Sequence, residues 1–310
     1  MQVVRSKVLG FCMGVRRAVK MAHTEVDRAA SGGGKVYTIG PLIHNPVVLQ
    51  DLKSRGLEEL EGNAGVLNFY KASALPKPQV DVIPSGGYGE ISVIIRAHGI
   101  DPHIEEDLRS RAVNIVDATC PNVKNSQLKA KALVEAGYYL FLAGDPQHSE
   151  ISGILGYSKS CSSSLSVVSN AAEAEDAAEK LFKTDKNAKT ALIGQTTITE
   201  DEYSIIGKAI LKYFPETEIV QTICTATNDR QKALRELLKE VDAVLIVGGK
   251  ESANTRRLLA IAKASGKPCA LIENSRQIPF SFYSYDFVGI SAGASTPDFI
   301  INEIEVELLR

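Results

Sequence analysis

Cysteine is scarce in this chain of 310 residues. Five widely spaced residues, an odd number, argue against a disulfide framework, which a reducing cytosol would disfavour in any case. No close Cys-x-x-Cys pair is present, so the ligand spacing favoured by structural zinc sites is missing. Long apolar runs are missing too. No stretch reaches the roughly 18 residues a membrane-spanning helix needs, and the opening MQVVRSKVLG lacks the apolar core of a signal peptide. The expectation is a cytoplasmic protein with no membrane partner. Net charge is only −2 and there is no Lys/Arg run, so nothing points to nucleic acid. Nucleotide signatures are equally wanting. GGKES (248–252) ends like a phosphate-binding loop, but Val244 replaces the required first glycine and Glu251 the Ser/Thr. No G-x-G-x-x-G follows a strand-like run, leaving no flavin or nicotinamide motif.

What is present reads as a soluble globular protein. Hydrophobic residues make up 44% and charged residues 23%, enough to bury a sizeable core, and the length favours two or three lobes. Strand-like and helix-like patterns alternate, predicting an α/β protein with mainly parallel sheets. Strands are predicted at 35–39, 91–95, 113–116, 138–143, 190–193, 217–221, 242–247 and 286–290, with a further one opening at Cys269. Helices are predicted at 14–30, 121–136, 171–183, 200–213, 227–240 and 253–265. The tracts SGGG (31–34) and CSSSLS (161–166) read as loops.

Three of the cysteines share one setting. Cys12 in GFCMGV, Cys120 in DATCPNV and Cys224 in TICTAT each lie between a strand and a helix. Pro121 is placed to open the second of these helices. A thiol at a helix N-terminus is biased toward thiolate by the helix dipole. Cys12 and Cys120 are 108 residues apart, Cys120 and Cys224 104. Two polar loops follow each cysteine, each after an apolar strand: GPLIHNP and RAHG, then GDPQHSE and GQTT, then GGKESAN and SAGAST. This is a degenerate threefold repeat of about 100 residues, suited to small α/β lobes rather than a solenoid. Its boundaries place lobes at 13–119, 120–223 and 224–310, the last joined by the N-terminal strand 1–12. Ligands of open α/β sheets bind beyond the carboxyl ends of the strands. Lobes in a pseudo-threefold arrangement would bring three thiolates and six loops to one central cavity.

Three thiolates suit either a catalytic zinc with one open position or a cubane iron–sulfur cluster with one iron left open as a Lewis acid. The alternative is that the cysteines are small core residues. Cys161 and Cys269 lack the junction placement and are taken as structural. His44, Asn45, His98, His148, Ser252, Asn254 and Ser295 offer donors suited to phosphate oxygens, although each also fits a cap or turn. Glu150 brings an acid beside His148 and opposite Thr196 and Thr197, placed to deliver protons or else to act as a helix N-terminal carboxylate.

The motifs GFCMGVRRAV, GPLIHNP, RAHG, DATCPNV, QHSEISG, GQTT, TICTATNDRQ, GGKESANTRRL and SAGASTPD, in this order, resemble the 4-hydroxy-3-methylbut-2-enyl diphosphate reductase family over nearly the whole chain. The resemblance implies three lobes around one 4Fe–4S cluster ligated by Cys12, Cys120 and Cys224, with the substrate hydroxyl on the fourth iron. It implies that His44, His98, His148, Ser252, Asn254 and Ser295 hold the allylic diphosphate. Glu150 would supply protons, and Thr196 would position the hydroxymethyl end and relay them. The implied reaction makes isopentenyl and dimethylallyl diphosphate, the last step of the non-mevalonate pathway. Electrons would come from a separate carrier, ferredoxin or flavodoxin, and a monomer is expected. Two positions depart from the family pattern: Ser149 where proline is usual, and Ala253 where a second serine often stands. Two other readings remain, a quinolinate-synthase-like enzyme and a non-catalytic cluster-based redox sensor. The former would need arginine clamps, for which only Arg96 is placed.

Overall fold

The computed structural model describes residues 1–60, 90–111, 113–158 and 165–310. Cys161 and the serines after it lie outside these residues. From the N-terminus come β1 (Gln2–Arg5), α1 (Met13–Gly32), β2 (Lys35–Ile39), α2 (Pro46–Ser54), β3 (Leu57–Leu60), β4 (Ile91–Ile95), α3 (Pro102–Ser110) and β5 (Asn114–Asp117). Next are α4 (Pro121–Glu135), β6 (Tyr139–Ala143), α5 (Ser149–Ser158), β7 (Leu165–Val168), α6 (Ala171–Thr184), β8 (Thr190–Gly194), α7 (Glu200–Leu211) and β9 (Glu218–Val220). The last run holds α8 (Thr225–Glu240), β10 (Ala243–Val247), α9 (Ala253–Ala264), β11 (Cys269–Ile272), β12 (Phe287–Ala292) and α10 (Asp298–Leu308). Among the described residues, no helix is long and apolar enough to cross a membrane.

Three four-stranded sheets result, with strand orders β3-β2-β4-β5, β7-β6-β8-β9 and β11-β10-β12-β1. Every recorded pairing is parallel. The orders are the same arrangement three times over. In each sheet the strand preceding a cysteine is at one edge, and the strands preceding the two polar loops occupy the middle. The third sheet borrows its cysteine strand from the chain's start, because β1 pairs with β12 in the register Gln2↔Phe287 to Arg5↔Ile290.

Sequence chemistry explains the layering. The central strands ISVII, TALIG and AVLIV are buried at every position, as expected for parallel strands covered by helices on both faces. The edge strand QVVR is buried only in part. Alternate residues of the second sheet serve two cores. Phe141, Ala143 and Leu192 pack with Ala174, Ala178 and Ile206 on one face. Leu140, Leu142, Ala191 and Ile193 pack with Ala130, Ile151 and Ile154 on the other. Each fully buried side chain of this size contributes about 1.5–3 kcal/mol. Helix starts carry local signals: Thr199 and Glu202 form a capping box on α7, and Asn170 caps α6.

Two compact units can be distinguished. One comprises Met1–Arg16, Ile43–Gln50 and Cys224–Arg310, and contains the third sheet; the other comprises Arg17–Leu42 and Asp51–Ile223, and contains the first two.

Candidate active site

In the larger unit, DATCPNV forms a clamped turn at the end of β5. The Asp117 carboxylate accepts a hydrogen bond from the Thr119 amide at 2.9 Å. The Cys120 amide donates to the Ala97 carbonyl at 2.9 Å, joining this turn to the RAHG loop. From α1, Arg17 donates to the Thr119 and Asp117 carbonyls at 3.1 and 3.2 Å. Cys120 is the N-cap of α4, followed by Pro121 at the first helical position, and its sulfur makes no capping hydrogen bond. The thiol is thus half-buried at a helix N-terminus and not consumed as a cap.

The RAHG loop turns at Gly99, whose φ of 73° favours glycine. Arg96 folds back onto this turn, its Nε donating to the Gly99 carbonyl at 3.1 Å. Burial lowers its pKa to about 10, with Glu59 opposing the shift. The guanidinium thus braces the loop, a different task from the anion clamp a dicarboxylate enzyme would require. His98 and His148 meet edge to face, with ring centroids 5.2 Å apart and planes at 85°.

Glu150 lies in the first turn of α5 and is 1% exposed. Its Oε1 accepts from the Thr196 amide at 2.7 Å and its Oε2 from the Thr196 hydroxyl at 2.9 Å. The Glu150 amide donates to His148 Nδ1 at 3.1 Å. Because Nδ1 is an acceptor there, the proton of neutral His148 resides on Nε2, which becomes a donor. The structure therefore brings Glu150, His148 and Thr196 together, with His98 against His148.

The smaller unit holds the remaining residues. Cys12 follows β1, its amide donating to the Ala294 carbonyl at 3.1 Å. Cys224 is the N-cap of α8, again with no capping bond from its side chain. Ser252 caps α9 by accepting from the Thr255 amide at 3.3 Å, which leaves its own O–H proton available to a ligand. Ser295 uses its proton on the His44 carbonyl at 3.1 Å. Gly249 lies against that same carbonyl, so closely that an added Cβ would overlap it. Asn45 accepts from the Val47 and Val48 amides at 3.1 and 3.2 Å, the work of a cap for α2. Asn254 is 4% exposed, and among the described residues neither its Oδ1 nor its Nδ2 has a hydrogen-bond partner. A buried amide with both ends unsatisfied is costly unless a ligand completes it.

Sequence reasoning passed over two arginines, Arg17 and Arg230. Arg230 on α8 is 2% exposed. It donates through Nη1 to the Ala226 carbonyl at 3.0 Å and through Nη2 to the Gly10 carbonyl. Burial lowers its pKa, an effect opposed by Cys12, Cys224 and Asp229. The signal was present in α8, where Thr227, Arg230, Gln231, Leu234, Leu237 and Leu238 form one buried stripe that turns polar toward Cys224.

Each unit thus carries cysteines in settings that suit ligands of a soft metal: Cys120 and Cys224 begin helices without serving as side-chain caps, and Cys12 and Cys224 act electrostatically on the buried Arg230. Cys269, by contrast, opens a strand, and burial raises its pKa, which keeps it a thiol.

Repeated parallel α/β sheets whose strand ends carry thiols, imidazoles and a buried acid present the donor set of an enzyme active site. The chain belongs to the family described as LytB protein, which matches residues 3–309. A relative from Treponema denticola, named 4-hydroxy-3-methylbut-2-enyl diphosphate reductase, is 40% identical over the whole of both chains. One of the same name from Aquifex aeolicus is 36% identical, covering 98% of this chain and 94% of its own. A solved (E)-4-hydroxy-3-methyl-but-2-enyl diphosphate reductase, described as the terminal enzyme of the non-mevalonate pathway, is 34% identical with a TM-score of 0.67, over 100% of this chain and 99% of that one. The reductase structure from Plasmodium falciparum superposes with a TM-score of 0.84 at 24% identity, over 99% of this chain and 87% of that one, and shows the shared fold.

Proposed function

We propose that the protein reduces 4-hydroxy-3-methylbut-2-enyl diphosphate to isopentenyl and dimethylallyl diphosphate, closing the non-mevalonate route to isoprenoids. The allylic C–O bond breaks, two electrons and two protons are taken up, and the oxygen leaves as water. Cys12, Cys120 and Cys224 would hold one 4Fe–4S cluster, which requires the three sheets' carboxyl edges to face a common space. When bound, the cluster supplies the electrons singly and a Lewis-acidic iron.

The protein's own part is position and protons. His44, His98, His148, Ser252, Asn254 and Ser295 bind the diphosphate. Neutral His148 donates from Nε2, Ser252 donates while still capping its helix, and the Asn254 amide finds its missing partners. Ser295 must turn its hydroxyl from the His44 carbonyl to donate. Glu150 supplies a proton to the departing oxygen, with the Thr196 hydroxyl between them as relay. The observation that carries this reading is the buried Glu150 carboxylate, held at both oxygens by Thr196. Electrons arrive from ferredoxin or flavodoxin, and the protein works as a cytoplasmic monomer.

The test is anaerobic reconstitution with iron and sulfide, followed by addition of the substrate to protein with reduced viologen. Substrate-dependent viologen oxidation yielding both five-carbon diphosphates supports the reading. A full complement of iron and sulfide without oxidation removes the assigned substrate.

A further inference from the structure

Arg230 is a charge in an unusual place. Among the described residues its hydrogen bonds go to backbone carbonyls, it forms no ion pair with a carboxylate, and its Nε has no partner. A guanidinium remains protonated in such surroundings, so its burial is costly unless negative charge lies nearby. Two side chains able to supply that charge are Cys12 and Cys224, with Asp229 beside them. The carbonyls it holds are chosen with respect to the same cysteines. Gly10 stands two residues before Cys12, and Ala226 two residues after Cys224. Gly10 itself has a φ of 78°, so the chain turns there in a form that favours glycine. One planar fork thus ties the loop of the first cysteine to the opening turn of the helix that begins at the third.

We infer that Arg230 is a positioning residue that fixes the Cys12 and Cys224 sulfurs relative to each other and, as a permanent positive charge beside them, raises the reduction potential of the centre they hold. The inference rests on the cluster reading above and deepens it. A fixed cation stabilises a centre more after it has gained an electron than before, and more strongly in a site removed from water. Potentials of iron–sulfur centres respond to net charge and exposure in this way. The consequence falls on electron transfer from the carrier, a step to which Glu150 and the diphosphate ligands do not contribute.

The deciding experiment compares full-length wild type, R230Q and R230K after anaerobic reconstitution, reading iron content and then the midpoint potential by redox titration. In R230Q the equilibrium constant for one-electron reduction should fall at least tenfold, about 59 mV. In R230K, which keeps the charge, it should stay within threefold of wild type. An R230Q protein with full iron and an unchanged potential overturns the inference, as does an R230K protein shifted as far as R230Q. Should R230Q fail to fold or to retain iron, R230K decides. Iron retained at a near wild-type potential supports the role of the charge; lost iron or a tenfold shift overturns it. Wild type that takes up no cluster would instead fail the proposed function, a result read before any variant is compared.

Discussion

Thr196 occupies both oxygens of Glu150, one through its amide at 2.7 Å and the other through its hydroxyl at 2.9 Å. The carboxylate is thereby oriented by Thr196, just past the carboxyl end of β8, while the His148 ring is oriented by the Glu150 amide. Glu150, Thr196 and His148 form one hydrogen-bonded set, and a change at any member should register in a different measurement.

Glu150→Gln preserves the shape and one acceptor for Thr196 but removes the titratable proton. Turnover should fall about 10²–10⁴-fold, the usual contribution of a positioned acid. Iron content and substrate affinity should stay near wild type. Near-normal turnover would remove Glu150 from the proton path.

Asn254→Leu deletes an amide that has no hydrogen-bond partner among the described residues while keeping its branched shape. Deleting an unsatisfied buried group is close to neutral for folding, whereas a hydrogen bond to a charged ligand contributes about 1.5–3 kcal/mol. The melting temperature should hold while substrate binding weakens about 10- to 100-fold. A large loss of stability with unchanged affinity would make Asn254 a structural residue.

Cys120→Ser and Cys269→Ser should part company. The first should lose or destabilise the cluster, read as iron content and visible absorbance. In the second, burial already holds the thiol protonated, so iron content and turnover should match wild type. Equal iron loss in both would contradict the ligand assignment.

Gly249→Ala would press a methyl group into the His44 carbonyl, which Ser295 also contacts. Overpacking of this kind costs about 1–3 kcal/mol. Thermal melting should fall accordingly, and the Michaelis constant should rise because His44 and Ser295 move together. An unperturbed melt would show that the loop yields freely.

Acid sensitivity should trace in part to Glu25. Burial of this carboxyl raises its pKa, but hydrogen bonds from Arg28, Ser92 and Asn114 and the Arg28 charge outweigh it, for a net lowering. A carboxyl whose folded pKa is depressed adds stability above its unfolded pKa of about 4.3, and that stability is lost as pH falls through the folded value. Glu25→Gln should flatten the decline of stability below about pH 4.5, measured by denaturant unfolding across pH. An unchanged slope would assign the acid sensitivity to other groups.

The central strands were legible because parallel strands covered on both faces are uniformly apolar: AVLIV and ISVII could be little else. The long helices α1, α6 and α8 carry clear periodicity, α4 is announced by Pro121 at its start, and all four fall within two residues of their predicted limits. α5 was not read as a helix, since SEISGILGYS is buried almost all round and lacks an amphipathic period. Its glycines serve packing, with Gly153 close against Gln127 and Gly156 against Asp101. The loops carrying Glu150, Thr196 and the cysteines stood out because chemistry-bearing residues follow strands there. Arg230 and Arg17 did not, since an arginine on a helix reads as solvated until the partner carbonyls, set by tertiary folding, are known. Cys161 lies outside the described residues.

The pairing of Gln2 with Phe287 imposes an order on the protein's own manufacture. The strand that leads into Cys12 is synthesised long before its partner β12. A nascent chain released up to β9 already has every strand of the first two sheets, but not the strand that β1 joins. Contacts of such sequence separation form late and slowly. The loop of the first cysteine therefore acquires its final backbone only after β12 has been made, so the Cys120 turn can be complete while the Cys12 loop still waits for its partner strand.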